Sequence, residues 1–289
     1  MRHCHFSILY NELPFLKQKL RFLYDHFDQI IFYDLNVCTD TPHPSTDGSR
    51  EYILNFPDPE NKITLIEKND LSDVKEYVGD GSVAKQKMFS VGSSYVRGDI
   101  DVFWCTDMDE FFHESFIGKV ENIFLNNSDV NSIDLRHKVF WKNFSYILAE
   151  HESDVMTLYA RVCRHIPGNL YSHCAIQKQF PKTFFLEEDD EVYYHFGWVG
   201  NRRVLSKIKH YTEPPTGSPL NKEMYDTYLE NVWNKFSATD KNICDEKVFG
   251  YPNMHPNYLG VKKGIRKIRQ DILPSYIDYE MLLKDLEEE

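Results

Sequence analysis

Two acidic residues separated by one position, Asp107 and Asp109, follow an apolar run that begins at Ile100 and has the length of one buried strand. In an open α/β sheet, ligands lie beyond the carboxyl ends of the strands, so we expect these carboxylates to face a pocket. Mg²⁺ or Mn²⁺ held by one or two carboxylates shares its other positions with water and substrate phosphate. The spacing therefore predicts a metal-diphosphate site, with a solvated acidic turn as the alternative.

The composition limits the classes of function. The chain has 289 residues and a formal net charge of −12 at pH 7, which argues against binding to nucleic acid or an anionic membrane because both need a basic field. The six cysteines form no Cys-x-x-Cys pair and no zinc spacing, which suits a reducing compartment. No apolar run approaches the roughly 20 residues of a membrane span, and the first strand pattern starts close to Met1. We therefore expect a cytoplasmic protein without a signal peptide.

Strands and helices alternate before the acidic pair. The pattern predicts, in order, a strand at Phe6–Tyr10, a helix at Pro14–His26, a strand at Gln29–Tyr33, a loop at Thr39–Ser49, a strand at Lys62–Glu67 and a helix at Ser82–Val96. Each strand is separated from the next by enough chain for a crossover connection. This rhythm predicts a doubly wound, Rossmann-like half with a mostly parallel sheet.

The rhythm changes after residue 112. A helix is predicted at Ser115–Leu125, followed by strands at Ser132–Arg136, Met156–Val162, Leu170–His173 and Val192–Phe196 and by helices at Arg202–Tyr211, Lys222–Phe236, Lys262–Arg269 and from Ile277 onward. The alternating strands indicate a mixed sheet, and the last segments indicate C-terminal helices. The predicted fold class is therefore α/β.

Several short motifs occur in an order that carries a resemblance. They are Asn11-Glu12 after the first strand, Asp34 after the second, the loop Ser45–Ser49, Lys85-Gln86 in a helix, the sequence DMDEF at 107–111 and the sequence YYHFGW at 193–198. In this order the chain resembles GT-A glycosyltransferases, most of all family 2 and relatives with an Asp-x-Asp-Glu-Phe motif. The resemblance implies a GT-A fold with residues 1–112 as a nucleotide-sugar-binding half, 113–212 as an acceptor-binding half of the same domain, and 213–289 as a C-terminal helical extension.

The resemblance also implies the ligands. The donor would be a nucleotide-diphosphate sugar, a UDP-sugar foremost, and the acceptor a glycan or another hydroxyl compound. Asp34 would bind the base, and Tyr10, Asn11 and Glu12 would lie close to the nucleoside. Asp107 would meet the ribose or the water shell of the metal, and Asp109 would bind Mn²⁺ or Mg²⁺ directly, because a cation stabilises the diphosphate leaving group. Without the resemblance, Asp34 is equally well read as a strand-end turn former.

Three further residues belong to the predicted site. Lys85 is a candidate diphosphate contact, with a solvated helix face as the alternative, and Trp198 is placed to approach the sugar or diphosphate. His195 is a candidate third metal ligand, because the predicted strand Val192–Phe196 would end beside it and a neutral imidazole binds transition metals. A core histidine with a satisfied ring is the alternative for His195.

The catalytic base is the least specified part of the prediction. An inverting transfer, which we prefer, needs a carboxylate or histidine beside the acceptor hydroxyl. Asp154 and Glu150 are the candidates, with a charged loop as the alternative, and Glu110 is open between a site role and a structural salt bridge. A non-catalytic glycan-binding protein with a vestigial site remains an alternative function. A sugar nucleotidyltransferase is another, although Tyr10–Pro14 lacks the glycine-rich, basic loop expected there.

Overall fold

The computed structural model describes residues 1–35, 43–66, 88–149, 159–167, 183–186, 192–212, 225–226, 229–234, 264–268, 271 and 273–287. The chain forms two compact units. The first comprises Met1–Arg136, Leu158–Tyr193 and Pro274–Asp278, and the second comprises His137–Thr157, Tyr194–Leu273 and Tyr279–Glu289. The functional division predicted at residues 112 and 212 stays a prediction.

Four parallel strands form the centre of the first unit, in the order β3-β2-β1-β4. They are β1 (His3–Leu9), β2 (Gln29–Asp34), β3 (Ile63–Ile66) and β4 (Val102–Cys105). These four strands form three parallel pairs, and this strand order is typical of a doubly wound sheet. The predicted α/β class is confirmed, and the predicted strands before the acidic pair are present with small shifts of their ends.

Helices connect these strands. Helix α1 (Leu13–His26) has Pro14 in its first turn, where a missing backbone N–H costs nothing, and it joins β1 to β2. Helix α2 (Ser49–Leu54), which the pattern did not predict, lies between β2 and β3. Residues 88–93 are helical and precede β4, as predicted for that part of the chain.

Both faces of the central strand β1 are buried, as expected for an inner strand of a parallel sheet, although its sequence alternates between polar and apolar residues. Cys4 and Phe6 point to one face, where they share a core with Met88 and Phe89 of the helical residues 88–93. The rings of Phe6 and Phe89 are 5.0 Å apart and nearly perpendicular. His5, on the opposite face, is also fully buried.

Gly92 lies where the helical residues 88–93 cross Phe6, and a Cβ atom at this position would come within 2.0 Å of the Phe6 ring. We expect Gly92→Ala to lower the free energy of unfolding by about 1–3 kcal/mol, because the fully buried ring must shift. Gly118→Ala is the control, since a Cβ there meets no atom within 4 Å, and helical alanine is favoured over glycine by roughly 0.5–1 kcal/mol. Urea denaturation measures both; equal stability of the two variants contradicts the prediction.

The rest of the first unit extends the sheet with antiparallel neighbours. The further elements are β5 (Glu110–Phe112), α3 (Phe116–Asn126), the beginning of β6 (Ser132–Ala149), β7 (Tyr159–Arg164) and β8 (Thr183–Leu186). Strand β7 is antiparallel to both β4 and β6, and β8 is parallel to β6. The mixed sheet predicted after residue 112 is therefore present.

A late segment of the chain completes this unit. Pro274–Asp278 belongs to it, and the Tyr276 ring stacks on Phe22 of α1 with 4.0 Å between centroids. The Tyr276 hydroxyl donates to the carbonyl of Phe112 at 3.0 Å, and the Asp278 amide donates to Gln18 Oε1 at 2.9 Å. The segment therefore covers the aromatic surface of α1.

The second unit contains the rest of β6, most of β9 (Val192–Val199), α4 (Asn201–Thr212), a π-helical turn (Leu229–Trp233), β10 (Gly264–Lys267) and α5 (Tyr279–Glu287). The predicted helix at Lys262–Arg269 is wrong where the structure describes it, because 264–267 pair antiparallel with Tyr146–Ala149. Its two isoleucines, three positions apart, were too few to separate a helix from a strand. None of the described helices is long and apolar enough to cross a membrane.

Candidate functional site

The carboxyl ends of β1, β2 and β4 meet at one edge of the sheet. Leu9 is paired with Asp34 at the end of β2, and Phe6 is paired with Cys105 at the end of β4. Asp34 therefore ends one neighbour of β1, and the segment from Thr106 follows the other. The two acidic positions singled out in the sequence lie at the same edge because the three strands are parallel.

Asp34 is buried and holds the following loop with only one of its oxygens. Asp34 is only 2% exposed. Its Oδ1 accepts hydrogen bonds from the Ser45 amide at 2.9 Å and from Ser45 Oγ at 2.6 Å. Oδ2 is buried and has no hydrogen-bond partner among the described residues. Burial raises the pKa of the Asp34 carboxyl, while the bonds from Ser45 oppose that shift. Oδ2 is therefore a buried acceptor that no donor of the described residues satisfies.

The connection between β1 and α1 is tied to the same loop. Asn11 has a φ of 52°, a left-handed conformation that asparagine tolerates better than most residues. Its amide donates to Ser45 Oγ at 2.9 Å, and its Oδ1 accepts from the Thr46 amide at 2.8 Å. The Tyr10 ring packs edge-on against His43 with 5.6 Å between centroids. The loop therefore brings Tyr10 and Asn11 to the region of Asp34.

The first turn of α1 is capped by this loop. The Leu13 amide donates to Asp47 Oδ2 at 2.9 Å, and the Glu12 amide donates to Ser49 Oγ at 3.2 Å. These side chains satisfy backbone N–H groups that a helix start otherwise leaves open. Two backbone donors at the α1 N-terminus are consequently satisfied by side chains of this loop.

The acidic turn, residues 106–110, joins β4 to β5. Asp107 is half-buried, whereas Asp109 is 4% exposed. The Glu110 amide donates to the Asp107 carbonyl at 3.1 Å, and the Asp107 amide donates to Glu110 Oε2 at 3.0 Å. Glu110 thus closes the turn with its side chain as well as its backbone.

Glu110 also forms a buried ion pair. Its Oε1 accepts from Arg161 Nη2 at 2.5 Å, and both residues are 2% exposed. Burial is the largest single influence on the Arg161 guanidinium and opposes its charge, but the surrounding groups, led by the Glu110 carboxylate, together outweigh burial and hold the pKa of Arg161 above its usual range. Of the two roles left open for Glu110 by the sequence, the structure shows the structural salt bridge.

Lys19 of α1 reaches the acidic turn from below. Its Nζ donates to Thr106 Oγ1 at 3.0 Å, to the Asp107 carbonyl at 2.9 Å and to the Glu110 carbonyl at 2.6 Å. The residue is fully buried, and burial lowers the pKa of the ammonium to about 8, although the nearby carboxylates, led by Glu110, oppose that shift. Beside it, His5 Nε2 lies 2.7 Å from Thr106 Oγ1, and burial keeps the pKa of His5 well below its ordinary value.

The carboxylates of the acidic turn would fill only part of the coordination shell of a divalent cation. Within the described ranges, no group of three or more histidine, cysteine, aspartate or glutamate side chains could hold an ion. Asp107 and Asp109 offer carboxylate oxygens, which suit Mg²⁺ or Mn²⁺ when water and phosphate oxygens complete the shell. The turn carries three carboxylates, those of Asp107, Asp109 and Glu110. Two buried cations, Lys19 and Arg161, lie beside them, so these five groups together keep one net negative charge. The residues present therefore fit a cation that arrives with a diphosphate.

His195 and Trp198 lie in β9. The strand was predicted to end at Phe196, but it continues to Val199. His195 therefore lies in the middle of the strand and not near its end. The predicted position of His195 beside a strand end is wrong, while its role as a metal ligand stays a prediction. Trp198 is 1% exposed.

Lys85, Glu150 and Asp154 lie outside the described residues. Lys19, Arg161 and His5 bind or support the acidic turn and were not predicted from the sequence. A signal for Lys19 was present, since it stands within the apolar stripe Leu16, Leu20 and Leu23 of α1, where a lysine must find a buried partner.

No family model matches the chain, and no curated protein does either. Among solved structures, it is similar to TarS of S. aureus: residues 1–349 of that protein align with a TM-score of 0.42 and 13% identity over 85% of this chain and 75% of that one. A longer TarS structure gives the same TM-score and identity over 46% of its length. The 4-diphosphocytidyl-2C-methyl-D-erythritol synthase of Anaerococcus prevotii aligns with a TM-score of 0.33 and 6% identity, over 66% of this chain and 89% of that one. Likeness at these TM-scores supports no inference about activity.

Proposed function

We propose that the chain is a metal-dependent glycosyltransferase that transfers a sugar from a nucleotide-diphosphate sugar, a UDP-sugar foremost, to the hydroxyl of a glycan or similar acceptor. The observation that carries the proposal is the placement of Asp34 and the acidic turn at the ends of β2 and β4, on either side of β1. Two strand spacings amount to roughly 10 Å, the scale that separates a nucleobase from its diphosphate. One edge of the sheet thus offers an acceptor for the base and carboxylates for a cation on the phosphates.

The roles of the chain's residues follow from their chemistry. Asp34 Oδ2 accepts an N–H of the base, and the loop from Ser45 holds the carboxylate in place through Oδ1. Asp107 and Asp109 would hold Mn²⁺ or Mg²⁺, which neutralises charge on the diphosphate leaving group. Glu110 and Arg161 keep the turn closed. An inverting transfer also needs a base beside the acceptor hydroxyl, for which Asp154 and Glu150 remain the candidates.

A nucleotide screen tests the proposal. Melting temperatures are measured with UDP, GDP, CDP and ADP, each with and without Mn²⁺, because a ligand that binds only the native state raises the melting temperature. We expect UDP with Mn²⁺ to give the largest rise, and slow hydrolysis of a UDP-sugar in the absence of acceptor. Binding without hydrolysis or transfer favours the non-catalytic glycan-binding alternative. Absence of any nucleotide effect overturns the proposal.

Asp34→Asn should change stability and binding in opposite directions. The native carboxyl has a raised pKa, so its favourable contribution to stability is present below the ordinary aspartate pKa near 3.8 and is lost as pH rises through the native value. We expect the neutral variant to be more stable than the wild type at pH 7, with the difference disappearing toward pH 3. UDP affinity should fall about 10- to 100-fold, the value of a hydrogen bond to a charged group.

The control for this variant is Asp25→Asn, which neutralises an exposed aspartate on α1 that pairs with Arg21. It should leave UDP affinity unchanged. Melting temperatures from pH 3 to 8 and calorimetric titration with UDP measure the two effects. An Asp34→Asn protein that binds UDP as tightly as the wild type contradicts the assigned role.

A further inference from the structure

Lys19 uses its entire hydrogen-bonding capacity on the acidic turn. A lysine ammonium carries three donors, and Nζ has three oxygen acceptors in the turn at 2.6 to 3.0 Å. Since no donor is left over and the residue is fully buried, Lys19 cannot also bind a substrate phosphate. Its charge acts on the protein itself.

The acceptors lie at the two ends of the turn. Thr106 Oγ1 and the Asp107 carbonyl belong to its beginning and the Glu110 carbonyl to its end, with Asp109 between them. A single ammonium therefore fixes the separation of the ends. Because a side chain departs from its Cα in a direction set by the backbone, holding both ends restricts where the Asp107 and Asp109 carboxylates point.

Arg161 acts on the turn in a different way. Its guanidinium binds the Glu110 side chain at Oε1, and it also lies 5.6 Å from the centroid of the Tyr193 ring. Lys19 binds backbone carbonyls of the turn, and the buried Glu110 carbonyl would lose a charged donor if Lys19 were removed. Loss of Lys19 should consequently change the shape of the turn more than loss of an ordinary buried contact.

We propose that Lys19 is a positioning residue, which holds the carbonyls of Asp107 and Glu110 and thereby sets the direction of the carboxylates that bind the cation of the diphosphate. The hydrogen bonds from Nζ to both ends of the turn support the positioning. That the carboxylates bind a cation rests on the proposed function.

The first test needs no ligand. Hydrogen exchange is measured by mass spectrometry for Lys19→Met, which keeps the length of the side chain and removes the donors. We expect the amides of 106–110 to exchange about tenfold faster or more, the value of one hydrogen bond to a charged group, while the β2 amides at 29–34 keep their protection. Lys17→Met, an exposed lysine on the same helix, should change neither region. Unchanged exchange at 106–110, or an equal increase throughout the first unit, overturns the proposal.

A second pair of variants covers the case in which Lys19→Met does not fold. Thr106→Val removes one of the three acceptors and keeps the side-chain shape, whereas Thr106→Ser keeps the hydroxyl. We expect faster exchange at 106–110 in the valine variant and recovery of most of the protection in the serine variant. Equal exchange in the two variants overturns the proposal in the same way.

A binding experiment then separates positioning from general destabilisation. Calorimetric titration with UDP and Mn²⁺ is carried out for Lys19→Met alone and combined with Asp109→Asn or Asp34→Asn. Positioning predicts that the combination with Asp109→Asn loses less than the product of the single losses, by about threefold or more, and that the combination with Asp34→Asn is multiplicative. Multiplicative loss in both combinations contradicts positioning. If the wild type binds no nucleotide, the proposed function fails, and the exchange experiment alone decides the role of Lys19.

Discussion

Replacing Arg161 with methionine is expected to lower the free energy of unfolding of the first unit by about 3–5 kcal/mol, because removal of one partner leaves a buried charge without compensation. Arg161 and Glu110 are each 2% exposed, so the Glu110 carboxylate would remain in a nearly dry environment. Urea denaturation, followed through hydrogen exchange of the β4 amides at 102–105, measures the stability of this unit.

The control for this prediction is the double replacement Glu110→Gln with Arg161→Met. It removes both charges, and we expect it to be less destabilised than the sum of the single variants, since neighbouring substitutions in one network are not additive. Additive losses would mean that the two residues contribute independently, contrary to the ion pair described above.

The second large effect concerns activity. Asp109→Asn keeps the shape of the side chain and removes a carboxylate from the cation, so we expect transfer to fall roughly 100-fold or more, as several kcal/mol of charge stabilisation are lost. The fold should persist, because the variant keeps the shape of the side chain and removes a buried negative charge. Turnover and melting temperature are measured at increasing Mn²⁺ concentrations.

Asp129→Asn, an exposed aspartate in the first unit, serves as the control and should retain full turnover. Wild-type turnover in Asp109→Asn at every Mn²⁺ concentration would remove Asp109 from the metal site. A collapse of the melting temperature with no change in Mn²⁺ dependence would instead assign Asp109 a purely structural role.

The edge of the sheet was predictable from local pattern. The strands that end at Leu9, Asp34 and Cys105 are short and buried, and a polar residue (Asn11, Asp34 or Asp107) stands at or just beyond the end of each. Placing Asp34 and the acidic turn at one edge needs only the rule that parallel strands end together.

The buried cations that bind the acidic turn were not predictable from local pattern in this way. The apolar stripe of α1 indicates that Lys19 is buried, but the oxygens that bind Lys19 and Arg161 are distant from them in sequence, so local pattern does not identify the buried network. The same limit explains β10, whose residues 264–267 are strand because Tyr146–Ala149 pair with them and not because of their own composition. Tertiary partners decide such segments.

The segment Pro274–Asp278 bears on the synthesis of the protein. The strands of the first unit leave the ribosome early, but Tyr276, which stacks on Phe22, is made only after nearly all of the second unit. Until then, the nascent first unit exposes an aromatic surface on α1 that the finished protein covers. Such a surface favours association with chaperones or with other nascent chains, so this unit completes its folding only after Tyr276 has left the ribosome, although its parallel strands are made much earlier.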